Sequence, residues 1–272
     1  MSPASNVLGP SVEHVLSATL QAASGPVYVI GPGRGVVESV VDFAVGAEDP
    51  PELRLLATEE ILKQVMDDFL VASNASDLVA SGTLEIRSDG ARAENTLLVT
   101  ESTVVAVVTA GDSVAGLTTD DEDFVESAVE AYGERFEAAD AFGLRTPALS
   151  DVRSSLETDL GDDVRAEFDA VLESLESVDG RDGVDEVTIS LLVAARNEVL
   201  LYDVSKWGED VGIASKATFS RTKSDLEERG LIETEKVPID VGRPRLRLQL
   251  ADDRLAEADL DELAGVARDL LD

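Results

Sequence analysis

The stretch 202-YDVSKWGEDVGIASKATFSRTKSDLEERGLIE-233 decides how the C-terminal half of this chain is read. It has the pattern of a short helix, a glycine turn and a second helix that closes on "ERGLIE". Asp203 is placed to cap the short helix "VSKWGEDV", and Gly212 to supply the left-handed turn that ends it. Ile213 then plugs the core, and Trp207 is expected in the core or between helices. Ser215 is placed to cap the next helix, 215–229, with Phe219, Thr222 or Lys223, and Leu226 on its buried side. That leaves Ala217, Ser220, Arg221 and Ser224 together on the opposite face, at i, i+3, i+4 and i+7.

The flanks extend the pattern. Residues 184–202, "VDEVTISLLVAARNEVLLY", can form a preceding helix with Val187, Leu191, Leu192 and Ala195 on one face. After Gly230, "LIETEKVPIDVGRPRLRLQL" reads as two strands, 231–237 and 245–250, around a turn. Arg243, Arg245 and Arg247 fall at or near the tip of that hairpin.

Charge sets this segment apart. The chain has 272 residues, with 56 Asp and Glu against 22 Lys and Arg, and a formal net charge of -34. Within 202–250 the acids and bases cancel, so the whole excess lies elsewhere. Residues 214–223 carry Lys216, Arg221 and Lys223 with no acid, and 241–249 carry three arginines with no acid. A surface that meets a polyanion cannot present carboxylates, and small side chains let a helix approach a duplex closely. Arg221 can donate to phosphate, or bidentately to guanine in the major groove. Double-stranded DNA is therefore the expected partner. Its candidate contacts are Ser215, Lys216, Ala217, Thr218, Ser220, Arg221, Lys223 and Ser224 on the helix, with Arg243, Arg245 and Arg247 on the hairpin.

The order "GEDVGI…TFSR…DLEERGLIE" followed by a hairpin resembles the winged helix-turn-helix of many archaeal and bacterial transcription regulators, over residues 185–250. Ile213 to Phe219 is one residue longer than the commonest spacing, which leaves the start of the recognition helix open. The whole chain resembles a haloarchaeal regulator family typified by TbsP. That resemblance implies an N-terminal α/β sensor-like domain, a C-terminal winged helix and a link to sugar-metabolism genes. A second reading stays open: an α/β ligand-binding protein or metabolic enzyme whose winged helix serves protein contacts.

The dispersed acids and the scarcity of lysine fit a cytoplasmic, archaeal protein from a salt-accumulating cell, where the Debye length falls to about 3 Å at 1 M salt. An acidic mesophilic protein that binds basic partners is the alternative. Hydrophobic residues make up 44% of the chain, so a sizeable core can be buried. No apolar run reaches the roughly 20 residues of a membrane span, so no membrane contact is expected. The first residues show no secretory signal. Cysteine is absent, which excludes thiolate sites, and the lone histidine, His14, is expected on a helix surface or in helix packing rather than in a zinc or Ser/His site. No catalytic residue, metal or cofactor is expected.

The front half reads as an α/β unit, a mixed sheet with packed helices. "VYVI" (27–30) is a strand, followed by "GPGRG", a helix, and the strand "PPELRLLA". Thr58 caps a helix "EEILKQVMDDFLVAS" with Ile61, Leu62, Val65, Met66 and Phe69 at helical spacing. "GTLEIRS", "NTLLVT" and "TVVAVVT" are three strands, the last two joined by a hairpin at "ES", and residues 119–142 form a capped amphipathic helix. Gly31, Gly33, Arg34 and Gly35 are candidate contacts for a small anionic metabolite, since amides at a helix start can hold an anion. The third dinucleotide glycine is replaced by Val36, so the Rossmann fingerprint fails. A strand-to-helix turn that needs glycine for geometry alone is the competing reading.

The expected layout is an α/β domain at 1–146, a helical connector at 147–182, the winged helix-turn-helix at 183–250 and a C-terminal helix at 251–272. A homodimer is expected through apolar helices away from DNA. The candidates are 162–178, and 255–271 with Leu260, Leu263, Ala264, Ala267, Leu270 and Leu271 on one side.

Overall fold

A computed structural model describes residues 6–90, 95–111, 113–176, 184–239, 244–260 and 262–271. The chain divides into two compact units, Met1–Leu144 and Arg145–Asp272. Arg243, residues 177–183 at the end of the expected connector, and the side chains of Leu175 and Ala264 lie outside the described residues.

The first unit runs β1 (Val7–Gly9), α1 (Val12–Ala22), β2 (Val27–Ile30), α2 (Arg34–Gly46), β3 (Leu53–Ala57), α3 (Glu59–Met66), α4 (Phe69–Ala80), β4 (Leu84–Ser88), β5 (Thr96–Val99), β6 (Val104–Ala110), β7 (Ser113–Thr119), α5 (Glu122–Ala138) and β8 (Asp140–Ala141). The strands form one mixed eight-stranded sheet in the order β1-β7-β6-β5-β2-β3-β4-β8. β2, β3 and β4 are parallel, and the other pairings are antiparallel. Strand side chains alternate between faces, so one set meets α1 to α4 and the other meets α5. Val27, Val29, Leu53, Leu55, Leu84 and Val105 join the cores of α1 to α4. Tyr28, Ile30, Leu56, Val99 and Val104 pack with Val125, Ala128 and Phe136 of α5.

Three expectations change here. The helix expected from Thr58 breaks into α3 and α4, because Asp68 leaves the helix and its Oδ1 accepts from Leu70 and Val71 N–H at 3.0 and 3.1 Å. The helical phase resets at that cap, so Leu70 is buried and Phe69 only half-buried. The helix expected over 119–142 spans Glu122–Ala138, capped by Asp121, and its tail pairs instead with β4 as β8. β7 was not foreseen: "SVAGLTT" lacks an alternating pattern. Its Gly116 is required by contact, since a Cβ there would lie 2.8 Å from Val15 Cγ1. The "ES" hairpin forms as expected, with Thr100 N–H donating to Thr103 O at 2.9 Å.

The second unit runs α6 (Leu149–Leu160), α7 (Asp162–Glu176), α8 (Glu186–Arg196), α9 (Leu201–Val211), α10 (Lys216–Glu228), β9 (Ile232–Val237), β10 (Arg245–Leu250), α11 (Asp253–Glu257) and α12 (Leu263–Leu271). β9 and β10 pair antiparallel, and Leu200 adds an isolated bridge to Arg247. The helices of 147–182 are packed into this unit: α6 lies against α7 and α9, and α7 against α8 and α12. Trp207 is a core residue whose Nε1–H donates to Ser155 Oγ at 2.8 Å. The first helix of the module ends at Arg196, ahead of the expected 202, because Val199 and Leu200 turn to join β10. The C-terminal helix is broken into α11 and α12, and Leu263 and Ala267 are buried within this same unit.

Candidate nucleic-acid interface

α8, α9 and α10 pack around Leu191, Leu192, Val204, Trp207, Phe219 and Leu226, all buried. Two glycines set the angle between α9 and α10. Gly212 has φ 95°, the left-handed conformation that ends α9. Gly208 is in van der Waals contact with the next helix, and a Cβ there would sit 2.3 Å from two ring atoms of Phe219. Phe219 is fully buried, whereas Ile213 is only half-buried, so the aromatic ring is the plug of the motif.

The start of α10 is unambiguous. Ser215 caps it, its Oγ accepting from Thr218 N–H at 3.2 Å. Asp203 does not cap α9, which begins at Leu201 with Leu200 as its cap. The Asp203 carboxylate lies instead 3.4 Å from Arg245.

Ala217, Ser220, Arg221 and Ser224 are exposed along one face of α10. Arg221 has no carboxylate partner among the described residues, and the small side chains beside it leave its guanidinium room to move. Thr218 is half-buried at the cap. Lys216 is tied to Glu209 of α9: Nζ lies 2.7 Å from Oε2, and the Lys216 N–H donates to Oε1 at 3.3 Å. The pair holds both groups in their charged forms; the hydrogen bond between them raises the lysine pKa and lowers that of Glu209.

Lys223 was expected both as a candidate for the buried side of this helix and among the DNA contacts, and its side chain turns inward. Its side chain is 12% exposed and sits 2.7 Å from Glu227. Burial pushes the Glu227 carboxyl up, but the bonds from Lys223 and Thr234 outweigh it and hold its pKa below the ordinary glutamate value. This triad joins α10 to β9.

On the hairpin, Arg245 and Arg247 share one face and Leu248 faces the core. Arg247 lies 3.4 Å from Glu235, its direct cross-strand neighbour. Arg245 stacks on the half-exposed Tyr202 ring, 4.7 Å from its centroid. Sequence reasoning missed Tyr202 and Glu209 as organisers of the basic groups. Nothing local marks a tyrosine as the platform for an arginine so distant in sequence.

In the first unit, Gly31 has φ 60° and its N–H is already bound to Leu56 O at 2.8 Å. Gly33 is the cap of α2, with no side-chain cap and no acid in the first turn. Arg34 runs along the helix to Glu38, 2.8 Å away. A cleft of about 840 Å³ lies at the other ends of β2 and β3, lined by Gly25, Pro26, Pro50, Pro51 and Glu52, and does not include these residues. His14 is exposed on α1, over Gly9.

Two family models match the chain, and together they span nearly all of it. Residues 4–147 match "Transcriptional regulator TbsP-like, N-terminal", and 148–268 match "Transcriptional regulator TbsP-like, C-terminal HTH domain". No curated protein matches. Among solved structures, TrmBL2, an archaeal chromatin protein, aligns at 15% identity and TM-score 0.39, over 52% of this chain and 55% of that one. The chain thus spans about half the length of that structure. A phospholipase D family member, Nuc from Salmonella typhimurium, aligns at 11% identity and TM-score 0.36, over 51% of this chain and 97% of that one. NucT from Helicobacter pylori aligns at 12% and 0.34, over 51% and 99%. Overlaps this slight carry no argument about function.

Proposed function

This chain belongs to the TbsP-like transcriptional regulators, a family of regulators rather than enzymes, and from that premise we propose that it reads operator DNA with α10 and the β9–β10 wing. One observation carries the reading. Arg221 stands without a carboxylate partner among the described residues, on an exposed face of small side chains, in a charge-balanced segment of a chain at -34. Ala217, Ser220 and Ser224 are shaped for the major groove, with Arg221 as the base or phosphate donor. Ser215, Lys216 and Thr218 sit at the helix start, where backbone N–H groups favour phosphate. Arg245 and Arg247 serve the flanking backbone, and Arg243, outside the described residues, is assigned the same role on its sequence position alone. Lys223 acts indirectly, by fixing α10 to β9.

Control of sugar-metabolism genes, in the cytoplasm of a salt-loving archaeon, is the physiological setting we assign, on the family resemblance and the acidic composition. The protein works as a homodimer in this reading, because specific sites usually comprise two half-sites about 10 bp apart or a multiple of that. A small anionic metabolite is the proposed effector, at Gly31, Gly33, Arg34 and Gly35. Its support is the open start of α2, and Arg34 would have to exchange Glu38 for the ligand.

The test is a mobility shift of promoter fragments in molar KCl, with Arg221→Ala alongside. Wild-type affinity in the variant removes α10 as the reading helix. Calorimetry with phosphorylated sugars, with and without Arg34→Ala, tests the effector.

A further inference from the structure

Much of the apolar surface of the helices expected to dimerise is used inside their own unit: Val164, Phe168, Val171 and Leu172 of α7, and Leu263 and Ala267 of α12, are buried, while Leu260, Leu270 and Leu271 are half-buried. The first unit has a different unpartnered surface. α1 to α4 cover one side of the eight-stranded sheet, while among the described residues of this unit α5 is the helix on the other, over β2 and β5. The register puts Leu8, Ala115, Leu117, Ala106 and Val108 side by side on that second face, across β1, β7 and β6. Leu8 is 75% exposed and Leu117 49%. Phe124 of α5, 54% exposed, is on the same side of the sheet. Glu122, Glu126 and Glu130 of α5 share a cleft with Glu101, and Phe124 is not part of it.

Not one side chain that β1, β5, β6 or β7 places on this face is charged, in a chain that is 29% charged overall. Solvated faces of such a chain carry acid. From this uncharged, exposed strand face we infer that the β1–β7–β6 surface is where a second copy of the chain docks, sheet against sheet.

Charge selects the occupant. A basic partner would be recognised through carboxylates, and this face has none. Two copies at -34 repel everywhere except where carboxylates are missing. A flat, uncharged sheet face is self-complementary, as a two-fold interface requires, and stacked sheets are a standard packing. Strand spacing and rise give an uncovered patch of roughly 20 by 20 Å. A pair therefore removes about 800 Å² of footprint before Phe124 is counted, near the ~1,000 Å² at which biological interfaces begin. Salt should favour this contact, since molar KCl screens the acidic rims to within about 3 Å.

The inference deepens the homodimer part of the proposed function and names its surface. The chain has no native cysteine, so a single introduced one reports its own twin without background. Full-length Leu117→Cys, oxidised in 2 M KCl at micromolar concentration, should give a disulfide-linked dimer on a denaturing gel. Val45→Cys, equally exposed on α2 beneath the opposite face, should not. Leu8→Glu with Leu117→Glu should convert dimer to monomer by light scattering, weakening association at least 100-fold. The far-ultraviolet spectrum should stay unchanged, because both side chains are exposed. A monomeric wild type, a double variant that stays dimeric, or a Leu117→Cys thiol that is protected in a monomer overturns the inference; the last would mean that the second unit of the same chain covers the face. DNA binding is scored on the same samples. A shift without this dimer rejects the surface alone, and a dimer without a shift rejects the DNA reading alone.

Discussion

Replacing Gly208 with alanine tests the helix-turn-helix geometry at its tightest point. The new methyl would lie 2.3 Å from Phe219 Cε2 and Cζ, where about 3.5–4.0 Å is needed. The ring is completely buried, so it cannot swing into solvent, and α9 and α10 must part by roughly 1 Å. Overpacking of this size costs about 1–3 kcal/mol, and alanine returns about 0.8–1 kcal/mol of helix propensity. At the middle of these ranges the net expectation is a loss of about 1 kcal/mol, or roughly 4 °C in Tm for a unit of this size. Gly265 in α12 is the matched control: nothing lies within 4 Å of its added Cβ, so Gly265→Ala should gain about 0.5–1 kcal/mol. The single tryptophan, buried in α9, reports unfolding of this unit directly. Urea titration followed by Trp207 fluorescence gives both numbers. DNA affinity should fall in Gly208→Ala beyond what the lost stability explains, because α10 is displaced from its place under the wing. A Gly208→Ala protein as stable as wild type would refute the packing argument, whatever Gly265→Ala does.

Arg221→Ala should lose about 1–3 kcal/mol of operator binding and relax specificity at one base position if the arginine is bidentate there, measured by titration against single-base operator variants. In dilute salt Glu209→Gln should tighten DNA binding by freeing Lys216, and should steepen the salt dependence by up to about one unit of slope; in molar KCl the gain should vanish. Ser215→Ala should cost about 1 kcal/mol of stability through the lost cap, visible in the same urea titration. The lowered Glu227 pKa means that its contribution is present above the ordinary glutamate range and is lost as pH falls through the folded value. Glu227→Gln should therefore lower stability at neutral pH and flatten its decline on acidification.

The winged module was legible because each local signal agreed with the next. Ser215 had a helix to cap, Gly212 had a turn to make, and Phe219 and Leu226 had the spacing of one buried face. The face of Ala217, Ser220, Arg221 and Ser224 followed from that phase alone. What stayed hidden depends on partners remote in sequence. Spacing left Lys223 free to face either the core or DNA; Glu227, itself bonded by Thr234 of β9, holds it inward. Asp203 looked like a cap until Leu200 was held by β10. β1 and β8 are strands only because β7 and β4 offer them an edge, and so short a segment leaves no period to read. The break at Asp68 was readable in principle, since an aspartate followed by apolar residues is a cap signal, but the helical spacing of Ile61 to Phe69 ran through it.

Charge placement links the two units' tasks. The acids that dominate the rest of the chain are missing from residues 214–223, which include the first half of α10, and from the β1–β7–β6 face. They return beside the recognition helix as partners: Glu209 for Lys216, Asp203 for Arg245, Glu235 for Arg247. In dilute salt such pairing would be a liability, because free cations draw much of their affinity for DNA from released counterions. In concentrated salt that release is worth little, since the ions return to a bath already full of them. A DNA-reading surface there must rely on directional hydrogen bonds, close fit and positions fixed in advance. Pairing with a neighbouring carboxylate, or stacking as Arg245 does on Tyr202, holds each long side chain near its working geometry and lowers the entropy lost on binding. Arg221, which has no carboxylate partner among the described residues, then stands where a base edge rather than a phosphate field would have to attract it.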